Sequence, residues 1–297
     1  MTAVGPDSAS AGGPTVRRIL LGTQLRRLRE ASGVSRQDAG WAIRASDSKI
    51  SRMELGRVGF KERDVADLLT LYGVTGEDGR AALLALAREA NTPGWWQQYG
   101  DVLPHWFHSY MGLEEAAALI RTCEVQFVPG LLQTEDYARA VIMLGHQTAS
   151  AEEIERRVTL RLKRQQLLAR QSPPRLWAVV DEAVLRRPIG GHEVLHGQIE
   201  ALVEATKLPN VRLQVIPFAL GGHSAAGGAF TILRFPDKDL PDVVYIELLT
   251  SALYLDKRED VDHYSVAMEG LSVEADPPSS TAETLGRVLR DLDVADR

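Results

Sequence analysis

The chain's 297 residues leave room for two domains of ordinary size, and 44% hydrophobic with 25% charged residues is a globular composition, not a disordered one. No apolar run reaches the roughly 18 residues a bilayer crossing needs, which excludes a helical membrane span. The single cysteine, Cys123, excludes an internal disulfide and a multi-thiolate metal centre and predicts a reducing, cytoplasmic location.

The start, MTAVGPDSASAGGPT, lacks a basic segment followed by an apolar core, so it reads as a disordered tail over 1–16 and not as a secretory signal. Residues 17–93 then read as a run of helices. Ile19, Leu20, Leu25 and Leu28 mark the first, with Gly33 as its stop. Ser35 caps a short second helix through Ile43, and Ser46 caps a third that ends at Gly56. A fourth runs from Lys61 to Tyr72 and a fifth from about Glu77 to Ala90. No strand pattern interrupts them, so residues 17–75 read as an all-α module and 76–93 as a connecting helix.

From Pro93 the character changes to α+β. Trp95, Trp96, Trp106, Phe107 and Tyr110 crowd the stretch 94–110; they are candidates for a ligand pocket or interface, with core or dimer-seam packing the preferred reading. Helices are predicted at about 112–122, 134–145 and 151–170. Strands are predicted at 176–180, 211–216, 230–235, 243–248 and 252–255, with helices at about 191–206 and 258–272. This domain spans 94–275, and 276–297 is a linker and final helix. The fold class is therefore multidomain, an all-α N-terminal domain followed by an α+β domain.

Charge is distributed unevenly. Residues 14–63 hold 12 Lys/Arg against 5 Asp/Glu, whereas 64–297 hold 22 against 34. A basic module on an acidic body suits phosphate contact at one end. With Ile50 and Met53 turned inward at 100° per residue, Ser48, Ser51 and Arg52 face outward, Lys49 lies on the flank and Asp47 sits at the capped end. A compact polar face at a helix N-terminus fits the major groove, where Arg52 can grip a guanine edge with two hydrogen bonds. Ser46 and the free amides of that first turn suit phosphate. Arg36, Lys49, Arg57 and Lys61 are further phosphate candidates.

These residues carry a resemblance. SRQDAGWAI, SDSKISRMELGR and VADLLTLYGV, in that order between Leu25 and Val74, resemble the Xre family of Cro/C1-type helix-turn-helix repressors. The resemblance implies a five-helix domain that binds a double-stranded DNA operator, usually as a homodimer. It places Asp47, Ser48, Ser51 and Arg52 at base-reading positions, Arg36 at the phosphate-bracing start of the second helix, and Arg29 with Glu54 in a structural ion pair. Two positions depart from the family. Arg44 stands where the turn usually has Gly, and Gly40 where the second helix usually has Ala; each departure costs about 1 kcal/mol.

The segments PGWWQQYGDVLPHWFHSYMGLEEAA, VPGLLQTEDYARAVI, LWAVVDEAVLRRPIGG and VVYIELLTSALYLD resemble a domain of unknown function that follows such helix-turn-helix modules in regulators of high-GC bacteria. That resemblance implies a transcription factor and, as a second reading, an antitoxin-like module acting with a small companion protein from a neighbouring gene. An enzyme reading rests on His192-Glu193-Val194-Leu195-His196, the H-E-x-x-H pattern of zinc proteases. No third ligand follows at the required spacing, and His192 and His196 continue the apolar stripe of Ile199 and Val203. The expectation is a regulator that is not an enzyme and takes no cofactor or metal.

Overall fold

A computed structural model describes residues 13–56, 58–225, 227–237 and 240–295. The chain divides into two compact units. The first runs to Gln97 and takes in His108–Ala116 and Pro236–Leu240, and the second comprises the remainder.

The first unit holds α1 (Pro14–Ala31), α2 (Arg36–Ala42), α3 (Asp47–Glu54), α4 (Glu62–Leu71) and α5 (Glu77–Ala90). Helix α1 opens at Pro14, inside the stretch assigned to the tail, because proline's missing N–H and fixed φ suit the first helical position. Residues 1–12 lie outside the described residues. The serines read as caps act as caps: Ser35 Oγ accepts from Asp38 N and Ser46 Oγ from Lys49 N. Leu21, Leu25, Ile50, Met53, Phe60, Val65, Leu68 and Leu69 form one buried core, and Ala87 and Ala90 of α5 belong to it. Arg18 Nε ties α1 to the α5 terminus through Ala90 O at 2.9 Å. Helices α1 and α3 meet at Gly22, where a Cβ would stand 2.4 Å from Met53 O.

The chain continues through a 3-10 turn (Trp95–Tyr99) to α6 (Phe107–Ala116) and then β1 (Leu119–Glu124). The stretch 112–122 was predicted helical throughout, yet the helix ends at Ala116 and Leu119–Glu124 form a strand at the centre of the sheet. After β1 come α7 (Glu135–Gly145), α8 (Ala151–Gln165), β2 (Arg175–Asp181), α9 (Glu182–Arg186), α10 (His192–Ala205) and β3 (Val211–Ile216). They are followed by β4 (Phe230–Arg234), β5 (Val243–Glu247), β6 (Ala252–Leu255), α11 (Arg258–Glu274) and α12 (Thr281–Ala295).

The six strands form one mixed sheet in the order β3-β2-β1-β4-β5-β6. The β1–β2 and β2–β3 pairs are parallel, and β1–β4, β4–β5 and β5–β6 are antiparallel. Parallel strands need long crossovers, which the helical segments between β1 and β2 and between β2 and β3 supply. Both faces of the central strands are buried. Cys123, Val179, Ile216, Phe230, Ile232 and Val244 pack with Val261, Met268 and Leu271 of α11, while Ile120, Leu176, Ala178, Leu213 and Leu233 fill the opposite face. The outer edge of β3 is covered by the segment before α12, where Asp276 N donates to Val215 O and Thr281 Oγ1 to Leu213 O. Among the described residues no helix is long and apolar enough to cross a membrane.

Candidate nucleic-acid interface

Helices α2 and α3 are joined by a turn whose hydrogen bonds identify it. Ala45 N donates to Gly40 O at 2.8 Å and Arg44 N to Trp41 O at 3.2 Å, the paired bonds of a Schellman cap. Such a cap needs a left-handed residue after the helix, and Arg44 takes that place with φ +54°. Gly40 sits under the same turn: a Cβ there would lie 2.7 Å from Ala45 O. The two departures from the family pattern therefore meet in one tight corner, and glycine at position 40 clears the space that the corner occupies.

The corner aims α3. Ile50 and Met53 are each 1% exposed and anchor the helix inward. Asp47, Ser48 and Arg52 are exposed on the outside, and Ser51 is half-buried beside them. The Asp47 carboxylate folds back on its own helix end, accepting from Ser48 N at 2.7 Å, as the positive pole of a helix favours. Ser46, exposed, spends its hydroxyl on the cap to Lys49 N at 3.2 Å.

Lys49 reaches across to α4. Its Nζ lies 2.9 Å from Asp64 Oδ2, and Asp64 is 2% exposed on α4. This pair braces α3 against α4. Arg36 and Lys61 remain exposed; Arg36 Nε also stands 3.4 Å from Glu54 Oε2. Arg57 lies outside the described residues.

Beneath this surface Arg29 and Glu54 form a two-pronged pair, Nε to Oε1 at 2.5 Å and Nη2 to Oε2 at 3.2 Å. Arg29 Nη1 also donates to Val34 O at 3.0 Å. One guanidinium thus fastens the end of α1, the turn before α2 and the end of α3. The Glu54 carboxylate raises the Arg29 pKa, chiefly through its hydrogen bond, and burial pushes the Tyr72 hydroxyl up to about 12. Periodicity did not single out Trp41, which is 68% exposed on α2.

Comparison with known families agrees with this geometry. Residues 20–83 match the model of a helix-turn-helix domain, and residues 107–287 match that of a domain of unknown function, DUF5753. The chain belongs to the DUF5753 family. Its helix-turn-helix domain is followed along the chain by the DUF5753 domain. No curated protein and no solved structure matches it.

The aromatic stretch that leads into the DUF5753 domain and includes its first residues is shared between the two compact units. In the first, Trp96 is 3% exposed and meets Trp95 edge-on at 6.0 Å, and Tyr110, also buried, donates its hydroxyl to Glu114 Oε1 at 2.8 Å. In the second, the Trp106 carbonyl accepts from the Tyr254 hydroxyl at 2.6 Å. Phe107 packs edge-on to Tyr245 at 6.4 Å and lies under the Arg164 guanidinium at 5.4 Å.

In the H-E-x-x-H segment of α10 the buried stripe is Leu195, Ile199 and Leu202, with Gln198 among them. His192 is exposed and His196 half-buried at the margin, so the expectation that both histidines continue the apolar stripe is corrected. The leucines set the buried direction and turn the histidines to its edge. His196 stands between two carboxylates, Nδ1 3.7 Å from Glu200 and Nε2 3.4 Å from Asp293 of α12. Among the described residues no three His, Cys, Asp or Glu side chains are grouped to hold a metal ion. Sequence reasoning missed Gln198, wholly buried, which accepts from Thr134 N at 2.7 Å and donates to Leu132 O at 2.9 Å, pinning the start of α7 to α10.

Proposed function

We propose that this protein is a cytoplasmic, sequence-specific transcriptional regulator that reads double-stranded DNA through α3. The reading rests on one observation above all. The outward side of α3 presents Asp47, Ser48 and Arg52 to solvent from a serine-capped N-terminus, within a basic segment of an otherwise acidic chain. Arg52 donates to a guanine edge in the major groove, Ser48 and Ser51 allow the backbone a close approach, and Ser46, Arg36 and Lys61 engage the flanking phosphates. Two copies bind a two-fold operator with half-sites about 34 Å apart, or a multiple of that. The DUF5753 domain supplies dimerisation and answers a ligand or a small companion protein. Such an effector alters DNA affinity only if it binds the DNA-competent and incompetent arrangements unequally.

The protein acts by binding and not by turnover. For His196 this reading is supported by the absence, among the described residues, of a third His, Cys, Asp or Glu side chain grouped with it to hold a metal ion. Zinc analysis of the purified chain and of His196→Ala tests the point, and stoichiometric zinc lost in the variant would replace a regulator with a metalloprotease fusion. The regulatory reading is tested by a genomic footprint, taken with and without the neighbouring gene's product. Discrete, two-fold symmetric sites support it, and binding without sequence preference contradicts it.

A further inference from the structure

In the parallel half of the sheet Arg121 of β1, Trp177 of β2 and Arg212 of β3 stand side by side in one row. Arg175, two residues before Trp177 on the same strand, shares their face. The row is rigidly held. Arg212 lays its guanidinium over the Trp177 ring at 4.8 Å. Trp177 Nε1 donates to Gln214 Oε1 at 2.7 Å, and the Gln214 amide is fixed by the carbonyls of Ser272 and Asp276. A cavity of about 190 Å³ opens at the β2–β3 end of this row, with Arg175, Trp177, Arg212, Asn210 and Thr206 in its walls and Arg121 one strand away from it.

The charge here is out of balance. Residues 64–297 carry 34 acidic against 22 basic side chains, yet among the described residues none of Arg121, Arg175 and Arg212 forms an ion pair with a carboxylate. Arg121 is 6% exposed, and its Nε and Nη2 have no hydrogen-bond partner among the described residues. The charged groups facing it are Arg234, Asp242 and Glu269. Of these, Asp242 is taken up by Arg234 at 2.8 Å. A buried guanidinium with two unpartnered nitrogens is unfavourable unless something completes it.

We propose that this corner of the sheet binds a small organic dianion, a phosphate monoester or a dicarboxylate. Arg175 and Arg212 present planar donor forks that match either group. Trp177 forms part of the same wall, and Arg121, paired with Trp177 on the neighbouring strand, adds positive charge from outside the cavity lining. The site gives the effector role proposed above a location and a ligand chemistry. Its binding is measured without DNA, so its failure is separate from failure of the DNA-binding reading.

The test is calorimetric titration of the full chain with glycerol 3-phosphate and with succinate, using chloride at equal ionic strength as the control. Saturable binding of at least one dianion is expected, and the two arms tell phosphate from carboxylate chemistry. Arg175→Gln and Arg212→Gln, both at exposed positions, are expected to weaken it about tenfold or more. Arg121→Met is expected to raise the Tm of the anion-free protein and to abolish the further rise that the dianion causes. The proposal is overturned if neither dianion binds above chloride or if the Arg175 and Arg212 variants bind unchanged. It is overturned as well if Arg121→Met lowers the Tm and leaves the dianion's effect intact, or if random-sequence duplex DNA displaces the dianion, which would make the arginines a DNA contact.

Discussion

Arg44 shows how one residue shapes the recognition surface. Its left-handed backbone costs about 1 kcal/mol relative to glycine, and the Schellman bonds to Gly40 and Trp41 hold it there. Arg44→Gly is therefore expected to stabilise the protein by about 0.5–1 kcal/mol in urea unfolding. Gly40→Ala is expected to destabilise it despite alanine's better helix propensity, because its Cβ would press on Ala45 O. Both residues stood out in the sequence, but as two separate costs, since a linear pattern does not show that they share a corner. Arg29 makes the stronger case. Its removal leaves the Glu54 carboxylate buried at 6% exposure with only the longer contact to Arg36, so Arg29→Met is expected to destabilise by about 2–4 kcal/mol. A change below about 1 kcal/mol in the same unfolding assay would show that the pair does not fasten α1 to α3. The pairing of Lys49 with Asp64 was not legible, because the phase of one helix carries no information about the next.

At the scale of elements, most helices and five strands were legible because their apolar residues recur at the period of the element. The strand β1 was not. Ala and Glu between 113 and 118 favour helix, and Leu119–Glu124 lie in the middle of a sheet buried on both faces, where a strand need not alternate. Arg121 and Glu124 within it further disguised a buried strand. Glu124 carries its own prediction. Burial pushes its carboxyl up to about 7, against the Thr122 hydroxyl at 3.4 Å and the charges of Arg164 and Arg161. A carboxyl raised in the folded state favours folding at low pH, and that contribution is lost as pH climbs from the ordinary carboxylate range through about 7. Glu124→Gln is expected to match the parent near pH 4 and to be more stable near pH 8 by on the order of 2 kcal/mol. Equal stability at both pH values in thermal melts would contradict this. The last helix is also structural: Leu285 and Val288 are fully buried, and α12 packs along α10. Removal of 276–297 is expected to lower the Tm sharply by uncovering α10 and the β3 edge.

For the whole molecule, the decisive property is the separation of charge between a basic helical module and an acidic α+β domain. It was fully legible, because net charge over a segment needs no knowledge of contacts. Phosphate contacts by that module release counterions, so DNA affinity is expected to fall steeply with salt. Salt dependence alone reports phosphate contact and not base reading. The most direct measurement is therefore a paired binding titration of the parent and Arg52→Ala, on the footprinted operator and on a scrambled duplex, at one fixed salt concentration. The account predicts that Arg52→Ala loses about 1–3 kcal/mol of discrimination between the two duplexes while keeping its affinity for the scrambled one within a few-fold. An unchanged preference for the operator in Arg52→Ala would contradict the assignment of α3 as the helix that reads DNA.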